Sequence, residues 1–131
     1  MHQEGNAIKA ADISVLIVAR SDRRRQSLKF LLEINPKIKV VGQASDSSLA
    51  MVMVRQYRPA LMIVDTNLAP AGAWITVLQQ VKAESPQTRC LVLANTKQTL
   101  PIAKATDADA ILMKGFPLAN LFTIIEELLS L

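Results

Sequence analysis

The sequence predicts an α/β domain in which a doubly wound, five-stranded parallel sheet lies between two layers of helices. Five short apolar runs rich in β-branched residues alternate along the chain with amphipathic helical patterns. The runs are continuously apolar rather than alternating, which is typical of strands covered on both faces. The chain has 131 residues, half of them hydrophobic, and this length suits one domain with a single core.

The apolar runs define the predicted strands and the extent of the domain. In chain order the strands are Ile13–Val18, Ile38–Val41, Leu61–Val64, Arg89–Leu93 and Ala110–Met113. Residues 1–11 contain no such run and are expected to form a flexible N-terminal tail. Residues 12–131 are therefore expected to form one domain.

The first two helices are predicted from capping residues and apolar spacing. Ser21 suits the N-cap of the first helix, and Pro36 disfavours helical backbone at the preceding Asn35. The second helix is predicted to start near Asp46, to end before Pro59 and to bury three apolar side chains. These are Leu49, Val52 and Met53.

The later helices follow the same pattern. The third carries Trp74, Val77, Leu78 and Val81 at i, i+3, i+4 and i+7, and it ends before Pro86. A fourth, short helix is predicted around residues 100–106. The last runs from about Pro117 to the C-terminus, with a wide apolar stripe that is buried by its own sheet, by another domain or by self-association.

Composition excludes several classes of protein. No apolar stretch approaches the roughly 20 residues that span a bilayer, and the start of the chain has no apolar secretory segment, so we expect a cytoplasmic protein without a membrane partner. Cys90 is alone and is expected to be an inert core thiol. The net charge is +4, and Arg23–Arg25 form a basic run without interleaved aromatic residues. We interpret this run as a solvated helix face rather than a nucleic-acid site.

The predicted topology brings a small set of polar positions together. Ligands and chemistry in open parallel sheets lie at the carboxyl ends of the strands. Ala19 and Arg20 follow the first strand, Asp65 ends the third, Ala94 and Asn95 end the fourth, and Lys114 follows the fifth. We expect these residues to surround one crevice.

In order and spacing the chain resembles the receiver domain of bacterial two-component response regulators, the CheY-like fold. The matching stretches are "ISVLIV", "IKVVGQASDSSLAMVMVRQYRPALMIVDTNL", "TRCLVLA" and "DADAILMK". The resemblance is strongest to receivers joined to helix-turn-helix transcription factors. It implies phosphoryl transfer from a histidine kinase to an aspartate, for which Asp65 is the equivalent, with Lys114 equivalent to the lysine that contacts the phosphoryl group.

Four positions depart from the pattern that the resemblance implies. Ala19 and Arg20 replace the two acids that hold Mg²⁺, and Ile111 replaces a common aromatic residue. Ala94 replaces a hydroxyl residue, unless Asn95 substitutes for it. Mg²⁺ prefers octahedral oxygen ligands, so we expect weak or no Mg²⁺ binding, no metal site and no other cofactor. Asp22 is a candidate replacement ligand, but we expect it to face solvent.

Arginine in place of an acid suggests a different use of the crevice. We expect the side chains of Arg20 and Lys114 to clamp Asp65 and to supply the positive charge that a metal would otherwise provide. The alternative is that Arg20 points into water and that Asp65 merely ends a strand. An unpartnered carboxylate in a crevice is costly, which favours the clamp.

These observations predict an atypical, non-enzymatic receiver that acts as a signalling or protein-interaction module, such as the N-terminal part of a transcriptional regulator. The alternative is a receiver that still accepts a phosphoryl group on Asp65. A cofactor-binding flavodoxin-like enzyme is disfavoured because the chain lacks a Gly-rich phosphate loop after its first strand. The expected partners are proteins: a sensor kinase, an output domain, or a second copy bound through the last helix as a homodimer. No direct nucleic-acid binding is expected of this domain.

Overall fold

The computed structural model describes residues 12–95, 102 and 107–129. Its strands are β1 (Ile13–Val18), β2 (Ile38–Ala44), β3 (Leu61–Asp65), β4 (Arg89–Ala94) and β5 (Ala110–Met113). All neighbouring strands are parallel, and their order is β2-β1-β3-β4-β5. The predicted doubly wound α/β fold is confirmed, and each strand begins at the predicted residue.

Four helices connect and follow these strands in the described part of the chain: α1 (Asp22–Leu32), α2 (Ser47–Tyr57), α3 (Ala73–Glu84) and α4 (Leu118–Leu129). The predicted N-cap is confirmed, since the Ser21 side chain accepts a hydrogen bond from the backbone N–H of Arg24. The expected tail (1–11) and nearly all of the helix predicted at 100–106 lie outside the described residues. No helix in the described ranges is long and apolar enough to cross a membrane.

The core consists of two clusters, one on each face of the sheet. One cluster joins side chains of α2 and α3 to alternate residues of the strands, and Trp74 and Val77 are among its buried members. The other joins α1 and α4 to the opposite face through Leu28, Leu32 and Leu121. Each fully buried aliphatic side chain contributes roughly 1.5–3 kcal/mol, so both helical layers are held mainly by apolar burial.

The predicted inner face of α2 is wrong at Leu49 and Val52, whereas Met53 is partly buried and packs against the core. Leu49 and Val52 have exposed fractions of 37% and 52%, whereas Ala50, Met51 and Val54 are buried. The segment from Leu49 to Val54 is apolar all round, so its periodicity does not select one face. The close approach of α2 to β2 decides which face is buried. The side chain of Met53 lies directly over Gly42, where a Cβ atom would be only 2.9 Å from its Sδ atom.

Candidate functional site

The carboxyl ends of the strands form a crevice that contains the carboxylate of Asp65. Asp65 is the last residue of β3, a central strand of the sheet, and only 4% of its side chain is exposed. Its Oδ1 atom accepts a hydrogen bond of 2.7 Å from the backbone N–H of Asn67. This bond orients the carboxylate within the loop that leaves β3. The remaining lone pairs of the two carboxylate oxygens are available to pair with cations.

Lys114 provides the first cation. Its Nζ atom lies 2.8 Å from Oδ1 of Asp65, and 15% of its side chain is exposed. Two features direct the side chain: the backbone N–H of Lys114 donates to the carbonyl oxygen of Ala94, and Nζ donates to Oδ1 of Asn95 at 3.3 Å. The following Gly115 adopts φ +90°, a left-handed conformation that favours glycine, and turns the chain away from β5.

Arg24 provides the second cation, and this corrects the predicted clamp. Its Nε atom lies 3.3 Å from Oδ2 of Asp65. Arg20, the predicted partner, lines the same crevice but is exposed, and its side chain makes no ion pair with Asp65 in the structure as described. The physical reason is the geometry of α1. Arg24 lies at the third position after the Ser21 cap, on the helix face that turns toward the sheet with Leu28, whereas Arg20 precedes the cap.

Arg25 occupies the end of β1, where the resemblance implies the acid pair. Its Nη1 atom donates to the carbonyl oxygens of Ala19 at 2.6 Å and Arg20 at 3.1 Å. Its Nη2 atom pairs with Oδ1 of Asp22 at 3.0 Å, and only 13% of the Arg25 side chain is exposed. A guanidinium group therefore satisfies the carbonyl oxygens at this turn by hydrogen bonding.

The other two departures from the implied pattern belong to the scaffold. Ala94 is fully buried at the end of β4 and carries no hydroxyl group, while Asn95 beside it donates its backbone N–H to Oγ1 of Thr66 at 3.1 Å. Ile111 is partly buried and packs against the cluster between α2, α3 and the sheet. Neither Ala94 nor Ile111 brings a polar side chain into the crevice.

The residues that line the crevice do not fit Mg²⁺. Asp65 is the one carboxylate among those lining residues, and Arg24 and Lys114 already contact its oxygens. The candidate ligand Asp22 faces solvent as expected, since 77% of its side chain is exposed. Across the described ranges, no group of three or more His, Cys, Asp or Glu side chains is placed to hold a metal ion. A hard divalent ion needs several oxygen ligands, and here it would meet guanidinium and ammonium groups instead.

Sequence reasoning missed the roles of Arg24 and Arg25. Both belong to the basic run that was interpreted as a solvated face, yet each packs against the carboxyl edge of the sheet. A signal was present in the spacing, because Arg24, Leu28 and Leu31 are related by i, i+4 and i+7 and share one helix face. Arg23 is exposed and lines the rim of the crevice.

Comparison with known proteins agrees with the resemblance. The family model described as "Response regulator receiver domain" matches residues 15–126. A protein-glutamate methylesterase/protein-glutamine glutaminase 3 of Syntrophomonas wolfei is 40% identical over 72 residues, covering 55% of this chain and 20% of that protein. The DNA-binding transcriptional activator DevR/DosR of Mycobacterium tuberculosis is 31% identical over 83 residues, covering 63% of this chain and 38% of that protein.

Solved structures show the same fold. A two-component response regulator of the LuxR family from Aurantimonas sp. SI85-9A1 superposes with a TM-score of 0.82 at 21% identity, over 91% of this chain and 86% of that chain. At this identity the match shows the fold alone. This chain spans from a fifth to about two fifths of the length of the two curated relatives named above.

Proposed function

The chain belongs to the family of response regulator receiver domains, and we propose that it is an atypical member that signals without Mg²⁺-dependent phosphorylation of Asp65. In this proposal the domain is not itself an enzyme. It is a cytoplasmic module that presents a protein-binding surface, and its conformation is set by fixed cations rather than by a metal and a phosphoryl group.

One observation carries the proposal: each oxygen of Asp65 faces a cationic side chain. Lys114 lies 2.8 Å from Oδ1 and Arg24 lies 3.3 Å from Oδ2. Two unit charges about 4 Å apart attract by roughly 4 kcal/mol at an effective dielectric near 20, before desolvation is subtracted. The burial of Asp65 limits screening by water, so the arrangement favours one conformation of the crevice.

The contact between Arg24 and Asp65 opposes phosphoryl transfer. Transfer to a carboxylate needs a free oxygen and a cation that neutralises the charge developing on the phosphoryl group, which a metal ion ordinarily does. Here the one lining carboxylate is already paired with two cations, and the end of β1 carries the guanidinium of Arg25 instead of acids. A phosphoryl donor would have to displace Arg24 to reach Oδ2 of Asp65.

The alternative function is a receiver that accepts a phosphoryl group on Asp65. It is favoured by the position of Asp65 at the end of β3 and by the contact from Lys114, the equivalent of the phosphate-binding lysine. In this alternative, Arg24 would move from Asp65 to the phosphoryl oxygens. Its side chain is 39% exposed and has room to do so.

Mass spectrometry of the intact chain separates the two functions. The chain is incubated with acetyl phosphate and Mg²⁺ and then measured without acid hydrolysis, beside a receiver with a complete acid pair as positive control. We expect no phosphoryl adduct. A gain of one phosphoryl group that is absent from Asp65→Asn would establish the alternative.

We also propose that the output of this domain is regulatory, as in the N-terminal part of a transcriptional regulator. The support is the likeness to a DNA-binding transcriptional activator over 63% of this chain.

The partner is then a sensor kinase, an output domain or a second copy bound through α4. Ile124, Leu128 and Leu129 of that helix are only partly buried and leave apolar area for contact. Sedimentation of the chain and of Ile124→Glu tests self-association directly.

A further inference from the structure

The crevice around Asp65 is larger than one carboxylate and two cations require. Its volume is about 500 Å³, within the range of roughly 300–1,000 Å³ that is typical of small-molecule sites. It lies between α1, together with the two residues before it, and the carboxyl ends of β3, β4 and β5. The space therefore admits a small organic molecule from solvent.

Positive charge dominates one part of this crevice. Among the lining residues that the structure describes, four are cationic and one is a carboxylate, Asp65; the cationic residues are Arg20, Arg23, Arg24 and Lys114. Arg24 and Lys114 are paired with Asp65, whereas the side chains of Arg20 and Arg23 are exposed and form no ion pair with any residue the structure describes. The described lining residues thus carry an excess of three positive charges, and such an excess in a concave site attracts anions and repels metal ions.

Another part of the crevice is apolar, beside the polar side chains of Ser21, Ser27, Asn67 and Asn95 that also line it. The lining residues of this apolar part are Leu28 and Leu31 of α1 and Phe116, two residues after Lys114. Leu28 is buried, while Leu31 and Phe116 are partly buried and present accessible carbon atoms. Inorganic anions would leave this apolar surface in contact with water, so it favours a ligand that has an apolar or aromatic body.

We propose that the crevice binds a small organophosphate, with its dianionic group at Arg20 and Arg23 and its apolar body against Leu31 and Phe116. Arginine presents a planar fork of N–H donors that matches phosphate oxygens in a bidentate manner. Arg20 and Arg23, which pair with none of the described residues, supply two charges for a dianion without removing either cation from Asp65. The proposal does not rest on the fate of Asp65 as a phosphoryl acceptor.

Two phosphonates test this proposal by isothermal titration calorimetry. Phenylphosphonate has a dianionic head and an aromatic body, and methylphosphonate has the same head without the body. Neither can transfer its phosphorus group to Asp65, because a carbon–phosphorus bond replaces the ester bond. We expect saturable binding of phenylphosphonate that is about tenfold tighter than that of methylphosphonate and that weakens as salt rises.

Charge-matched variants show where the ligand binds. Arg20→Ala with Arg23→Ala should weaken phenylphosphonate binding about tenfold or more. Lys37→Ala with Lys39→Ala removes the same charge at the opposite edge of the sheet, where β2 begins, and should leave the affinity within about twofold. Phe116→Ala should bring the two phosphonates to similar affinities. Thermal melting confirms that each variant is folded.

Three outcomes would overturn the proposal. The first is no saturable binding of phenylphosphonate to the unmodified chain at low salt. The second is equal loss of binding in the two double variants, which would indicate attraction by net charge alone. The third is equal affinity for the two phosphonates, which would show that Leu31 and Phe116 do not contribute to binding. None of these results bears on phosphorylation of Asp65, so this test is separable from that of the proposed function.

Discussion

The Nε atom of Arg24 lies 3.3 Å from Oδ2 of Asp65, where the sequence had suggested Arg20. Arg24 is one helical turn further along the chain, on the face of α1 that turns toward the sheet. With Lys114 on the other oxygen, the buried carboxylate is neutralised by side chains of this chain. This relationship predicts unequal effects of substitution at neighbouring arginines.

Lys114→Met is expected to lower the free energy of unfolding by about 2 kcal/mol, because removing a partner leaves a buried carboxylate undercompensated. Arg24→Met should cost less, since 39% of its side chain is exposed. Arg20→Met is the matched control and should change stability by no more than about 0.5 kcal/mol. Urea denaturation measures all three. A larger loss of stability for Arg20→Met than for Arg24→Met would instead support Arg20 as the partner of Asp65.

Restoring acids at the end of β1 should create a metal site. We expect Ala19→Asp with Arg20→Asp and Arg24→Ala to bind Mg²⁺ with a saturable heat in calorimetry, because three carboxylates then surround the crevice. Asp65→Asn added to this variant should abolish the heat. If the triple variant is folded and still does not bind, then Arg25, which holds the carbonyl groups of Ala19 and Arg20, prevents the turn from accepting a metal.

The thiol of Cys90 should be unreactive in the folded protein. It is fully buried in β4, and burial raises its pKa to about 12, with Lys82 opposing this shift. A thiol with a raised pKa in the folded state stabilises the fold below the unfolded pKa, near 9, and this contribution is lost as pH rises toward 12. Labelling by iodoacetamide at pH 8 should follow global unfolding. Rapid labelling without denaturant would contradict this description.

The ion pair between α2 and α3 should make stability depend on acid pH. Nε and Nη2 of Arg55 donate to the two carboxylate oxygens of Glu84 at 2.7 and 3.1 Å, and this bonding lowers the pKa of Glu84. A lowered pKa adds stability above the unfolded pKa, near 4.5, which is lost as pH falls below it. Glu84→Gln should therefore have a lower urea midpoint at pH 7 and nearly the same midpoint at pH 3. If the urea midpoints differ as much at pH 3 as at pH 7, the effect of Glu84→Gln comes from altered packing rather than from the loss of the ion pair.

The sequence predicts the sheet well because each strand is an apolar run bounded by turn residues. Ile13–Val18 and Ala110–Met113 agree at both ends, while β2 extends beyond Val41 to Ala44 through a register shift opposite Val15 and Leu16. Periodicity fails where a segment is apolar all round, as between Leu49 and Val54. There the closeness of Gly42 to Met53, a tertiary feature, decides which face is buried.

The site is predictable in part for a similar reason. Asp65, Lys114 and Asn95 lie where strand ends must place them, and parallel topology brings them together. Side chains on α1 depend instead on the rotation of the helix about its axis, which Ser21 and the burial of Leu28 determine. This rotation assigns Arg24 to Asp65 and leaves Arg20 and Arg23 on the rim.

The most direct test of the central claim is a calorimetric titration of Mg²⁺ into the unmodified chain at low ionic strength. Because Arg24 and Lys114 already neutralise Asp65, we predict no saturable heat at millimolar Mg²⁺ and no change in melting temperature. Saturable binding of one Mg²⁺ per chain that is abolished by Asp65→Asn would contradict the claim that fixed cations replace the metal.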